Sequence, residues 1–268
     1  FSPDGRQIAM DINEGGYIHA WIYDSARDAL FRLTTGSSGN IGPMWTPDGR
    51  GIGFASTRGS GIFNVYWQRA DGTGDVQRLT ESPNVQFPTS WHPSGRFLAF
   101  NEIGPKTAGG VMMLPMEGND AAGWKPGKPA AFLDSEFDEW NGKFSPDGRW
   151  LAYVSNESGR YEVYVRPFPG PGGKWLISTG GAAKTHLSWS SVRQELLFVS
   201  PEQQIMVAPY AVSGDEFRAD KPRLWSETKV LTRPRGGDFD LHPDGQRVPS
   251  HHRRSRTASS SCGVSLRN

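Results

Sequence analysis

Six polar residues carry most of the chemistry in this sequence: Glu139, Asn141, Lys184, His186, Asp238 and Asp240. Each lies one, three or five residues before the residue that heads a repeated turn (Phe144, Trp189 or Leu241). Reading other repeats in the same phase gives Asn40, Gly42 and Met44, then Gln86, Pro88 and Ser90, then Lys143 and Ser188. The opposite phase is mostly apolar: Ile41, Phe87, Trp140, Leu187 and Phe239. A period of two is that of a strand with one polar and one buried face. Strands of this kind converging on one axis would gather carboxylates, an amine, an imidazole and a carboxamide. Such a set can hold a peptide or a small polar ligand through hydrogen bonds and charge. The alternative chemistry is a carboxylate pair, Glu139 with Asp240 and assisted by His186, acting as acid and base on a glycosidic bond in a hydrolase or lyase.

Binding is the favoured reading, because the chain carries no recognisable catalytic motif. It lacks a Gly-x-Ser-x-Gly elbow, a His-Glu-x-x-His pair, a phosphate-cradling glycine loop and any cysteine spacing for zinc. No metal site and no cofactor are expected.

The elements that position these residues are written in a repeated phrase. "FSPDGRQIAM" starts at Phe1, "WTPDGRGIGFAS" at Trp45, "WHPSGRFLAF" at Trp91 and "FSPDGRWLAYVS" at Phe144. "WSSVRQELLFVS" at Trp189 and "LHPDGQRV" at Leu241 are weaker copies. The starts are 44, 46, 53, 45 and 52 residues apart, within the roughly 40–50 residues of one propeller blade. In each phrase Pro presets one turn corner and Gly accepts positive φ, so a short strand precedes the turn and an alternating strand follows it. Residues Trp140–Ser178 read as four such strands, "WNGKF", "WLAYVS", "YEVYVRPF" and "KWLIST".

The expected fold is therefore all-β: a β-propeller of four-stranded antiparallel blades, five or six in number, the sixth incomplete. The aromatic heading each turn is the expected wedge between blades. Ser190–Arg193 lacks Pro, Asp and Gly, so its turn is expected to use other geometry. Residues 1–247 form the expected propeller. The inner strand near Gly237–His242 would either join the three strands of the first repeat or begin an incomplete sixth blade. Residues 248–268 read as a basic, disordered tail that holds the single cysteine, Cys262.

The formal net charge of +1 hides an asymmetry. The last twenty residues hold four arginines and no acid, which leaves 25 basic against 28 acidic residues, a net of −3, in the rest. That balance excludes a nucleic-acid-binding surface on the propeller. No apolar run reaches the ~20 residues of a membrane span.

The run "FSPDGRWLAYVSNESGRYEVYV" resembles the TolB-type β-propeller repeat. The longer run "SNESGRYEVYVRPFPGPGGKWLISTGG" is most similar to propellers attached to bacterial eukaryote-like serine/threonine kinases. The resemblance implies a module that binds proteins or peptides, in a periplasmic or other extracytoplasmic compartment. It is specific for fold and poor for function.

Overall fold

The computed structural model describes residues 1–105, 109–119, 123–133, 135–184, 186–230, 240–251 and 264–267. Asp238, Phe239 and Cys262 lie outside the described residues, and so does the strand expected before Asp240. The described residues contain strands and turns and no helix.

Blade one is three-stranded: β1 (Gln7–Glu14), β2 (Tyr17–Asp24) and β3 (Ala29–Arg32). Blade two is β4 (Asn40–Trp45), β5 (Gly51–Ser56), β6 (Asn64–Arg69) and β7 (Gln77–Arg78). Blade three is β8 (Val85–Trp91), β9 (Phe97–Ile103) and the long β10 (Gly110–Asn119). Two strands pair with that long one, β11 (Gly123–Pro126) and β12 (Ala130–Ala131). Blade four is β13 (Glu139–Phe144), β14 (Trp150–Ser155), β15 (Glu162–Pro167) and β16 (Trp175–Leu176). Blade five is β17 (Leu187–Trp189), β18 (Glu195–Val199), β19 (Gln204–Ser213), β20 (Glu216–Ala219) and β21 (Arg223–Lys229). Within the basic C-terminal stretch, β22 (Val248–His251) pairs antiparallel with β23 (Val264–Arg267).

The repeated phrase folds by its own hydrogen bonds. The head-plus-one amide bonds the carbonyl five residues on: Ser2 to Gln7, Thr46 to Gly51, His92 to Phe97, Ser145 to Trp150 and His242 to Arg247. The Ser or Thr hydroxyl accepts the returning amide, as in Gly51 N to Thr46 Oγ1 at 2.9 Å, and donates to the turn Asp, as in Thr46 Oγ1 to Asp48 at 2.6 Å. In the third repeat Ser94 does the work of that Asp: its hydroxyl accepts from Arg96 N at 3.3 Å and pairs with His92 Nδ1 at 2.7 Å. The fifth turn, without Pro, Asp or Gly, keeps the same closure, Ser190 N to Glu195 O at 2.9 Å. It differs inside: Arg193 N bonds Ser190 Oγ at 3.2 Å, where the other turns use a glycine amide. So only the corner changes geometry, and the span does not.

The heads of the turns are the wedges. Five clusters of buried residues each combine side chains of one blade with the head of the next: Trp45, Trp91, Phe144, Trp189 and Leu241. A buried aromatic removes about 150–250 Å² from water, a gross gain of roughly 4–6 kcal/mol at ~25 cal/mol/Å². Polar links repeat with the wedges. Ser90 Oγ accepts from Phe144 N at 3.1 Å, and Ser188 Oγ accepts from Leu241 N at 3.3 Å.

The sixth turn closes the circle. His92 Nε2 bonds the carbonyl of Gly148 in the next blade at 3.1 Å, and His242 Nε2 bonds that of Gly5 at 3.2 Å. The Phe1 ring meets His242 edge-on at 4.9 Å. Residues 240–247 thus occupy a position of their own between blade five and blade one.

Candidate functional site

Inner strands are where strict alternation breaks. In β4 the register slips between Ile41 and Met44, in β13 between Trp140 and Lys143, and in β8 between Pro88 and Ser90. One extra residue in each strand makes a bulge. In blades two and four the residue at the bulge is left-handed, Gly42 at φ 61° and Asn141 at φ 57°. The bulge splits each inner strand into a half that begins at one mouth of the ring and a half that carries the wedge.

In the first half the expected channel residues turn into the structure. Asn40 accepts from Ser56 Oγ at 2.9 Å, and Gln86 Nε2 donates to Glu102 at 2.6 Å. Glu139, only 3% exposed, accepts from Ser135 Oγ at 2.9 Å. Burial, only partly offset by Ser135 and reinforced by Glu157, pushes its carboxyl up to about 7. Asn101 ties the segment down, its Nδ2 donating to Glu139 O at 2.9 Å and its Oδ1 accepting from Asn141 N at 2.8 Å. The buried Asn141 carboxamide has no hydrogen-bond partner among the described residues. His186 is buried just ahead of β17, and its carbonyl accepts from Val199 N.

Lys184 ends in a cluster that spans blades four and five. Its ammonium bonds Asp138 Oδ2 at 2.7 Å and lies 4.3 Å from the Tyr161 ring centre and 5.4 Å from that of Trp140. Trp140 Nε1 donates to the other Asp138 oxygen at 2.6 Å, and the Tyr161 hydroxyl donates to the same oxygen as Lys184. Asn156 Oδ1 accepts from Asp138 N at 2.9 Å. Gly109 packs so closely on Trp140 that a Cβ there would lie 2.6 Å from the indole. Desolvation presses the Lys184 ammonium down, but Asp138 and Tyr161 outweigh it and hold its pKa above the usual lysine value. The acidic run "DSEFDEW" was the sequence signal for Asp138; its partners, 23 and 46 residues away, were not readable from spacing.

At the other end of the inner strands, Asp240 has half of its side-chain surface open. Its Oδ2 accepts from the Phe1 nitrogen at 2.7 Å and its Oδ1 from Ser188 Oγ at 3.4 Å. Lys143 Nζ donates to Thr89 O at 2.6 Å. Glu139 and Asp240 have separate charged neighbours: Glu157, Arg166 and Lys174 for the first, Lys143 for the second.

The wedged circle of antiparallel sheets is a β-propeller. Residues 1–121 match the family model described as "TolB beta propeller domain". The chain is similar to the Tol-Pal system protein TolB of Anaeromyxobacter dehalogenans, 37% identical over 33% of this chain and 20% of that protein. It is also similar to an uncharacterised peptidase, YuxL, of Bacillus subtilis, 22% identical over 62% of this chain and 31% of that one. The crystal structure of TolB from Acinetobacter baumannii superposes with a TM-score of 0.64 at 17% identity, covering 94% of this chain and 59% of its own. The fold is that of a TolB-type propeller. The chain spans less than a third of the length of either of these two relatives.

Proposed function

We propose that this chain is a non-catalytic binding or sensing module that holds a protein segment or peptide at the channel mouth between blades four and five. The Lys184–Asp138–Tyr161–Trp140 cluster carries this reading. At the junction of blades two and three Phe63 packs against Phe87 at 5.8 Å, and Gln86, the counterpart of Lys184, bonds Glu102 within its own blade at 2.6 Å. Where blade four meets blade five, a cation, a carboxylate and two aromatic rings stand instead. Like blades share their wedges because packing demands it; a departure confined to a mouth is where recognition is built.

A displayed peptide library selected on the purified chain, followed by calorimetry, tests the proposal. Trp140→Ala and Tyr161→Ala should each weaken a selected peptide at least tenfold. Failure to select any peptide, or peptides indifferent to both variants, would sink it. By resemblance to kinase-attached propellers, the module is proposed to act outside the cytoplasm as part of a larger chain. The coding sequence on either side tests that: finding neither an export signal nor a kinase there removes it.

One observation favours the hydrolase or lyase reading: the Glu139 carboxyl, raised to about 7, suits a general acid. Its burial and its separation from the charged neighbours of Asp240 weigh against it. Product formed from a panel of oligosaccharides, lost in Glu139→Gln with the fold intact, would favour catalysis.

A further inference from the structure

Trp140, Tyr161 and Asp138 make three walls of a box around an ammonium ion. The two rings lie within cation–π range of the Lys184 Nζ, and the carboxylate bonds it at 2.7 Å. The box is held independently of its occupant. Asp138 keeps Trp140 Nε1 and the Tyr161 hydroxyl as donors, and its amide is fixed by Asn156. Gly109 pins the indole from its own side. The occupant, by contrast, comes from the neighbouring blade, and its side chain is 39% exposed while that of Asp138 is 9% exposed. A receptor with a buried carboxylate and half-buried rings, filled by a part-exposed side chain from the next blade, has the form of a site plugged by its own surrogate ligand.

We propose that this box is a receptor for an alkylammonium group, such as the side chain of a lysine or methylated lysine in a bound peptide, and that Lys184 is its built-in competitor. The inference rests on the mouth being a binding site and names what that mouth selects. An incoming ammonium would exchange for Lys184, so charge in the box is conserved, and affinity is set by the difference between the two occupants. A quaternary ammonium, which is poorly hydrated and fills an aromatic box well, is the favoured competitor.

Tetramethylammonium chloride, titrated against the full chain with sodium chloride as the ionic-strength control, tests this without any peptide. Binding is followed by calorimetry and by the shift of the Trp140 indole NH in NMR spectra. Lys184→Ala should bind tetramethylammonium at least tenfold more tightly than the unsubstituted chain. Lys184→Met, whose side chain still fills the box, should show no such gain. Adding Trp140→Ala to Lys184→Ala should abolish the gain while circular dichroism remains native. Equal affinity in Lys184→Ala and the unsubstituted chain, or a gain that survives loss of Trp140, overturns the proposal. The peptide-binding reading fails separately: if no peptide binds but tetramethylammonium does, the box stands without it. If peptides bind but tetramethylammonium does not, only the box falls.

Discussion

His242 donates from Nε2 to the carbonyl of Gly5 at 3.2 Å, joining the sixth turn to the first across 237 residues of chain. The carbonyl can only accept, so this bond needs a proton on Nε2; Nδ1 lies 3.1 Å from both the amide and a carboxylate oxygen of Asp244. The same arrangement joins His92 to Gly148, with Ser94 N on Nδ1 at 3.1 Å. At both glycines a Cβ would fall within 2.6 Å of the imidazole, so the close approach requires glycine.

Replacing His242 by Ala should therefore loosen the ring at its seam. A partly buried hydrogen bond contributes about 0.5–1.5 kcal/mol and an edge-on aromatic contact a similar amount. A loss of about 1–3 kcal/mol in urea unfolding is expected. No change in midpoint would show that the sixth turn does not close the circle.

The wedge at Phe144 should be among the costliest side chains to remove. It is buried, meets His92 at 5.0 Å and Phe168 at 4.8 Å, and belongs to the core between blades three and four. Phe144→Ala should cost about 3–5 kcal/mol. A thermal midpoint within a degree or two of the parent would refute the wedge role.

Asn141→Gly separates structure from recognition. Gly42 shows that the bulge accepts glycine in the same left-handed conformation. The substitution also removes a buried carboxamide that lacks partners among the described residues, a defect that costs about 1–3 kcal/mol. The variant should be as stable as the parent or more stable by that amount. A clear drop in unfolding midpoint would show that the carboxamide supports the fold.

Stability should depend on pH in two opposed ways. Glu139 titrates near 7 in the folded chain against an ordinary 4.5, so its contribution is full below 4.5 and is lost as pH rises to about 7. The loss is at most about 3 kcal/mol, and Glu139→Gln should remove this slope. His92 is depressed, mainly by burial, below its ordinary 6.5. Its contribution is present above 6.5 and is lost as pH falls through the lower folded value. His92→Gln should flatten that acid limb. If neither variant alters the profile between pH 4.5 and 7, the two burial arguments fail together.

The wedges, the hairpin turns and the strand content were legible because each is a local rule: an aromatic head, a glycine corner, an alternating run. The missing corner residues at Ser190–Arg193 pointed to a different turn, yet the five-residue closure survives there, because the Arg193 amide donates to the Ser190 hydroxyl where the other turns have a glycine amide donating to a carbonyl. The channel residues were read with a strict period of two. The bulge defeats that period by one residue, which is why Asn40, Gln86 and Glu139 are tied into neighbouring groups while Asp240 keeps an open face. The ammonium box was invisible because its members come from two blades and meet only when the ring is formed. Trp140 read as an apolar face residue, and Tyr161 simply as the start of a strand.

The slip at residues 140–143 also has a consequence for how such a disc can change. Upstream of it, the chain is anchored to its own loops as well as to Asn101 and Gly109 of the adjoining blade; downstream, to that blade alone through Lys143 and Phe144. Residues gained or lost on the upstream side would be absorbed at the kink before they reached Phe144. One rim of the ring can therefore be rewritten for new visitors while the masonry between the sheets stays in place.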